Sequence, residues 1–360
     1  MPTQQTGEAP MTATTRKLGR IAAVATATAL TMMAATSQAQ ELVKFDGVTA
    51  QGGATAQMFP IYMAQEMGFY KEEGLDVTLN YSKGSSDAAR QLAAGNVDWG
   101  IFSSAATMQT VQRGFPLKAI MQVYYPDTFD IVVPAGSDIK TMADMKGKTI
   151  GLSDLAGGEV PMTRASIVES GLKEGEDVKL VVAGEGDPTT IRSFETDRIQ
   201  AYAGAKRDLL LIPAQGIETR SITPTAIAAF PGDALSVRAE TFEGNPDILV
   251  KFVRATLKGR QWGMDNPDQA FELLKTKYAA ASLGDNPVAP QFWSLVQSYY
   301  TAPETVQVHG TMLPDAWNTY MEYLQLGEGE QKALAGPVDL STLLTDEIVL
   351  KASEGLAAQN

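Results

Sequence analysis

From Leu42 onward, short apolar runs alternate with amphipathic stretches, the pattern of sheet strands joined by crossover helices. Residues 42–49, 75–81, 97–102 and 117–125 read as strands. Between them, residues 59–70 read as a helix that can bury Ile61, Tyr62, Ala64, Met67 and Phe69. A second helix, over 86–94, is entered through Ser85-Ser86-Asp87 and closed by Gly95. Residues 129–133 are apolar and β-branched before Pro134-Ala135-Gly136, and read as a crossing strand that leaves a first lobe. A second βα series follows, with strands at 149–152, 178–183, 200–203 and 217–223 and helices at 159–170 and 188–196. Residues 235–238 read as the return crossing. The remainder is mainly helical, with Asn245-Pro246 and Asn266-Pro267 as start signals. The expected organisation is one lobe, 40–133 with 235–360, interrupted by a second at 134–234.

The first 39 residues read as an address. Arg16, Lys17 and Arg20 form a basic patch, an apolar run covers 21–33, and Ser37-Gln38-Ala39 supplies small residues for cleavage. That order is the one of a secretory signal peptide. The run is shorter than the roughly 20 residues a membrane span needs. Cleavage after Ala39 leaves no cysteine to carry a lipid anchor, so the expected product is free and periplasmic.

Composition narrows the chemistry. The 360 residues are too many for one compact core and suggest about two domains. There is no cysteine and one histidine, which excludes thiol nucleophiles, disulfide scaffolds and thiolate metal sites. A net charge of −13 argues against nucleic acid as a partner. Removing three basic residues and Glu8 with the leader would make it −15. Gly147-Lys148-Thr149 lacks the earlier glycine of a phosphate loop, and Gly184-Glu185-Gly186 lacks the third glycine of a dinucleotide fingerprint. His309, beside Gly310, reads as a loop or surface residue. No metal-ligand spacing and no carboxylate pair stands out, so neither cofactor nor metal is expected.

The stretch from Phe59 to Ser104 is more specific. Gly68-Phe69-Tyr70, Glu73-Gly74-Leu75-Asp76-Val77 and Ala93-Ala94-Gly95-Asn96-Val97-Asp98 resemble the periplasmic substrate-binding proteins of ATP-binding cassette (ABC) importers. The resemblance is to the branch of nitrate, alkanesulfonate, taurine and thiamine-pyrimidine binders. Met145-Lys146-Gly147-Lys148-Thr149 matches that family's entry into its second lobe. The resemblance implies an α/β, two-lobe periplasmic-binding-protein fold of type II, hinge closure on a small molecule, a membrane permease as partner and a monomeric state. A sensor partner and an enzyme on the same scaffold remain as alternatives. The pyrimidine-synthesising relatives use a Cys-rich motif and an active histidine, and this chain has no cysteine, so that activity is not carried over.

If the resemblance holds, the cleft is lined by loops that follow strands. In the first lobe the candidates are Gln57, Met58, Phe59 and Tyr62, then Ser103 and Ser104, which can equally serve as helix caps, with Tyr124 and Tyr125. In the second lobe they are Asp154, Gly157, Gly158 and Glu159, then Tyr202 and Lys206, with Arg207 as the alternative base. Asp154 and Glu159 would oppose a small anion and favour a donor-bearing ligand. A small polar organic ligand, such as a heteroaromatic pyrimidine precursor, is therefore expected over a bare inorganic anion, with a sulfonate- or nitrate-like ligand as the alternative.

Overall fold

The computed structural model describes residues 1–3, 7, 41–329 and 332–356. The expected leader therefore lies almost wholly outside the described residues. From Leu42 the chain builds two five-stranded sheets.

The first sheet contains β1 (Val43–Thr49), β2 (Leu75–Tyr81), β3 (Trp99–Ser103), β4 (Leu117–Gln122) and β10 (Asp233–Arg238), in the order β2-β1-β3-β10-β4. The second contains β5 (Phe129–Pro134), β6 (Lys148–Leu152), β7 (Val178–Val182), β8 (Ala201–Ala205) and β9 (Thr219–Ser221), in the order β7-β6-β8-β5-β9. The two orders are the same. In each sheet one antiparallel strand, β10 or β5, sits beside the third parallel strand and belongs to a crossing of the chain. The expected α/β two-lobe architecture is present.

One boundary differs from the sequence reading. Residues 129–133 were expected to close the first lobe, but β5 pairs with β8 and β9 and so belongs to the second sheet. The outward crossing is Val123 to Thr128, between β4 and β5, and the return runs from Ile222 to Gly232, between β9 and β10. β-branched residues mark a strand and do not say which sheet it joins. The two crossings touch: Gly232 N donates to Tyr124 O at 3.1 Å, and Val123 N donates to Asp233 O at 3.0 Å. Phe230 anchors the return, fully buried and stacked on Tyr320 at 4.3 Å.

The first sheet is closed on both faces. All five residues of β3 are buried, as expected of a central strand covered by helices. Phe252, from the long helix Pro246–Asp265, meets Phe45 at 5.1 Å and Trp99 at 4.7 Å. That helix begins at its proline, as does Pro267–Leu273, but neither Asn245 nor Asn266 makes a side-chain cap bond. The 59–70 helix is two helices, Phe59–Glu66 and Phe69–Glu72, split at Gly68. Among the described residues no helix is long and apolar enough to cross a membrane.

Candidate functional site

Both sheets point the C-terminal ends of their parallel strands at one cleft, the usual place for a ligand in an open α/β sheet. The loop after β1 supplies Gln51 and Gly52, and the loop after β2 supplies Lys83, Gly84 and Ser85. From the second sheet come Asp154, Gly157, Gly158 and Glu159 after β6, and Arg207 and Asp208 after β8. Thr128 from the outward crossing, Phe129 at the start of β5 and Asp233 at the start of β10 complete a cavity of about 70 Å³.

The walls meet across this cavity. Ser86 N donates to Ala156 O at 3.2 Å, and Arg207 Nη1 donates to Gln57 Oε1 at 3.4 Å. Two glycines permit the approach. Gly84 has φ of +133°, and a Cβ there would lie 2.7 Å from Ala156 O on the opposite wall. A Cβ at Gly158 would lie 2.4 Å from the Phe129 ring and 2.7 Å from Ser85 Oγ. Any side chain at either position would force the walls apart.

The electrostatics are lopsided. Asp154, Glu159, Glu185, Asp208 and Asp233 line the cavity against two cations, Arg207 and the exposed Lys83. Arg207 Nε lies 3.0 Å from Asp208 Oδ1, and Nη2 lies 3.9 Å from Glu185 Oε2. Burial would lower the guanidinium pKa, but Asp208 and Glu185 outweigh it and hold Arg207 charged. Burial pushes the Asp208 carboxyl up to about 7, against the pull of Arg207. Asp233 rises to about 7, first through burial and then through the charge of Asp127. Asp127, in the outward crossing, is also lifted to about 7 by burial. Glu159 is buried and raised by desolvation, although it accepts from Ser153 N at 3.1 Å and from the Ser153 hydroxyl. Carboxyl groups outnumber the two cations in this lining, which favours a donor-bearing occupant over a bare anion.

The structure brings Gln57, Asp154, Gly157, Gly158 and Glu159 together at the cavity. The other candidates stand elsewhere. Met58 and Phe59 are buried, and the Phe59 ring packs edge-on to Trp293 and Tyr300. Tyr62 stacks on Tyr278 at 5.0 Å and meets the Tyr81 hydroxyl at 3.2 Å. Ser103 is a helix cap that accepts from Ala106 N at 3.3 Å, and the Ser104 hydroxyl donates to Gly232 O. Tyr124 donates to Gln57 O, and Tyr125 accepts from Gly310 N at 2.7 Å. Tyr202 donates to Gly184 O at 2.8 Å. Lys206 Nζ is bonded to Asp127 O at 2.8 Å, leaving the cavity to Arg207.

Sequence reasoning passed over Gln51, Ser85, Phe129, Glu185, Asp208 and Asp233. Glu185 sits inside the Gly184-Glu185-Gly186 motif, whose two glycines mark the turn that brings it to the cavity. His309 lies in a loop, as expected, but it is buried there and does not face the surface. Its ring meets Tyr125 at 5.3 Å, and burial drives its pKa well below the ordinary histidine value. Among the described residues no group of three His, Asp or Glu side chains is arranged to hold a metal ion.

Comparison with known proteins bears on both fold and family. The chain is 24% identical over 299 residues to the riboflavin-binding protein RibY of Chloroflexus aurantiacus, covering 81% of this chain and 82% of that one. It is 24% identical over 223 residues to a formylaminopyrimidine-binding protein of Halalkalibacterium halodurans, covering 62% and 67%. A 4-amino-5-hydroxymethyl-2-methylpyrimidine phosphate synthase of Legionella pneumophila is 24% identical over 236 residues, covering 60% and 68%. A solved structure from Bordetella bronchiseptica superposes with a TM-score of 0.71 at 19% identity, covering 87% of this chain and 98% of that one. The periplasmic nitrate-binding protein NrtA of Synechocystis PCC 6803 superposes with a TM-score of 0.63 at 15% identity, covering 89% and 91%. These structures share the periplasmic-binding-protein fold. Residues 55–270 match the family described as NMT1/THI5 like, which is most of the folded chain, and the protein belongs to that family.

Proposed function

We propose that this protein is the extracytoplasmic solute-binding component of an ABC importer, and that it captures a small, donor-bearing organic ligand in the cleft between its two sheets. The ligand class is heteroaromatic and pyrimidine-like, in preference to nitrate or a sulfonate. The observation that carries this reading is the acidic lining around Arg207. A small oxyanion would meet five carboxyls, whereas an aminopyrimidine offers N–H donors to Asp208, Asp233 and Glu159.

Capture proceeds by closure. Ligand enters with the walls apart, and the paired crossings near Tyr124 and Gly232 serve as the hinge. Closure then makes the Arg207–Gln57 and Ser86–Ala156 bonds. Ligand contacts to both walls, possible only when the walls meet, supply the differential affinity that a population shift requires. The closed form docks as a monomer on a membrane permease.

Several relatives are named as pyrimidine phosphate synthases, which gives the enzymatic alternative its weight. Capture without turnover is favoured because His309, the one histidine, lies against Tyr125 outside the cavity lining.

Calorimetry against 4-amino-5-hydroxymethyl-2-methylpyrimidine, nitrate and ethanesulfonate, with X-ray scattering on each mixture, tests the reading. The pyrimidine is expected to bind, to compact the protein and to be recovered intact. Tight binding of nitrate or ethanesulfonate, or conversion of the pyrimidine, would overturn it.

A further inference from the structure

Inside the first lobe lies a small cavity that shares no residue with the cleft. Its volume is about 10 Å³, and every residue that lines it is buried. Ile61, Ile101, Met121 and Leu257 give it apolar walls, and five polar side chains face it: Gln122, Thr256, Arg260, Tyr300 and His309. Three of the five are already engaged. The Thr256 hydroxyl donates to Phe252 O at 2.8 Å, and the Tyr300 hydroxyl donates to Gln57 O at 2.7 Å. Gln122 donates through Nε2 to Tyr124 O at 2.8 Å and accepts through Oε1 from Trp317 Nε1 at 2.9 Å.

Arg260 and His309 keep a free group. They are 6% and 3% exposed. Arg260 Nη2 donates to Tyr300 O at 2.9 Å, but Arg260 Nε and His309 Nδ1 are buried with no partner among the described residues. Nor does any described carboxylate form an ion pair with this guanidinium. Burial lowers the Arg260 pKa to about 10, which still leaves it charged at neutral pH. Burial, and then the Arg260 charge, keep His309 neutral. An uncompensated buried charge is costly.

The unspent groups decide what would offset that cost. A water has two hydrogens to place, and of the free side-chain groups only His309 Nδ1 could accept one. An anion needs donors alone, and Arg260 Nε–H and the Nδ1–H tautomer of His309 are two. At roughly 10–15 Å³ for one water, the volume admits a single-atom ion and excludes sulfate, phosphate or an organic acid.

We propose that this cavity is a halide site in which Arg260 Nε and His309 Nδ1 donate to a chloride ion. The ion ties the helix Pro246–Asp265 to the His309 loop, which is joined to β4 where Gln122 N donates to Gly310 O at 2.7 Å.

Melting curves in sodium chloride and in sodium gluconate at equal ionic strength test the site, together with bromide-soaked crystals measured at the bromine edge. Chloride should raise the wild-type melting temperature by about 2–4 °C over gluconate, and an anomalous peak should lie between Arg260 Nε and His309 Nδ1. His309→Phe, which keeps a ring against Tyr125, should at least halve the chloride gain, and Arg260→Met should abolish it. If Arg260→Met does not fold, the bromide peak and His309→Phe decide. Density without an anomalous signal would mean a water and overturn the proposal. So would a bromide peak with no chloride gain in solution, or a gain that His309→Phe leaves intact.

Discussion

The two walls of the cleft differ in chemistry more than in shape, since the two sheets share one strand order. The first wall presents neutral groups, Gln51, Gln57, Gly84 and Ser85, with the exposed Lys83 at its edge and Asp233 as its one carboxyl. The second wall presents Asp154, Glu159, Glu185, Asp208 and Arg207. A duplicated scaffold thus carries a division of labour. The first wall supplies a close-fitting surface, with Gly84 allowing backbone to meet backbone, while the second decides which charge is tolerated. Selectivity for ligand charge should therefore be altered mainly by substitutions after β6 and β8.

The sharpest way to break the comparison is to remove one polar group from each wall. Arg207→Met keeps the aliphatic stem and deletes the guanidinium that faces Asp208 and Glu185. Deleting one partner of a buried ion pair costs about 3–5 kcal/mol, and part of that is recovered here because Asp208 can take up a proton. Ser85→Ala deletes a hydroxyl that accepts from Ser103 N at 3.2 Å, a neutral bond worth about 1 kcal/mol. Urea denaturation of both variants should rank Arg207→Met well below Ser85→Ala. Equal losses would mean that the charged wall is no more demanding than the neutral one.

Proton linkage gives a smaller effect that touches both walls and the hinge. Asp208, Asp233 and Asp127 have carboxyls lifted to about 7 by burial, above the unfolded value near 3.9. Between those values the folded state binds more protons than the unfolded chain. Stability from these groups is therefore greatest at low pH, falls as pH rises from about 4 to about 7, and then levels. The urea midpoint should be higher at pH 5.5 than at pH 8, and Asp233→Asn should flatten that difference. A midpoint that rises with pH over this range would contradict the protonated, acidic cleft.

The fold was legible because its signals are local and repeated. Strand and helix patterns from β1 to β8 follow apolar periodicity, and the glycine-closed turns fall where the family motifs place them. The sheet that β5 joins was not legible, because Phe129 to Val133 would suit either sheet and only the pairing with β8 decides. In the cleft, the loop from Asp154 to Glu159 was readable as a glycine-rich helix entry. Asp233 and Asp208 were not, since burial in a cleft depends on two walls remote in sequence. The first-lobe aromatics Phe59, Tyr62 and Tyr125 stand outside the cavity lining, and their placement was not legible for the opposite reason. Their spacing fits a ligand platform and a helix core equally, and in the structure they pack on Trp293, Tyr278 and His309.

Adjacent bases after β8 give the finest test of the comparison, because sequence alone made Lys206 and Arg207 equivalent. The structure separates them by one step of the chain. Lys206 Nζ donates to Asp127 O at 2.8 Å and so ties the second sheet to the outward crossing, while Arg207 turns into the cavity. Lys206→Met should cost about 1 kcal/mol, the worth of one half-exposed hydrogen bond, and should change pyrimidine affinity less than twofold by calorimetry. Arg207→Met in the same assay should change it far more, because the carboxyls around it rearrange or take up protons. If Lys206→Met instead removed binding while Arg207→Met spared it, the cation that organises the second wall would be Lys206, and the charge division between the walls would have to be redrawn around Asp127.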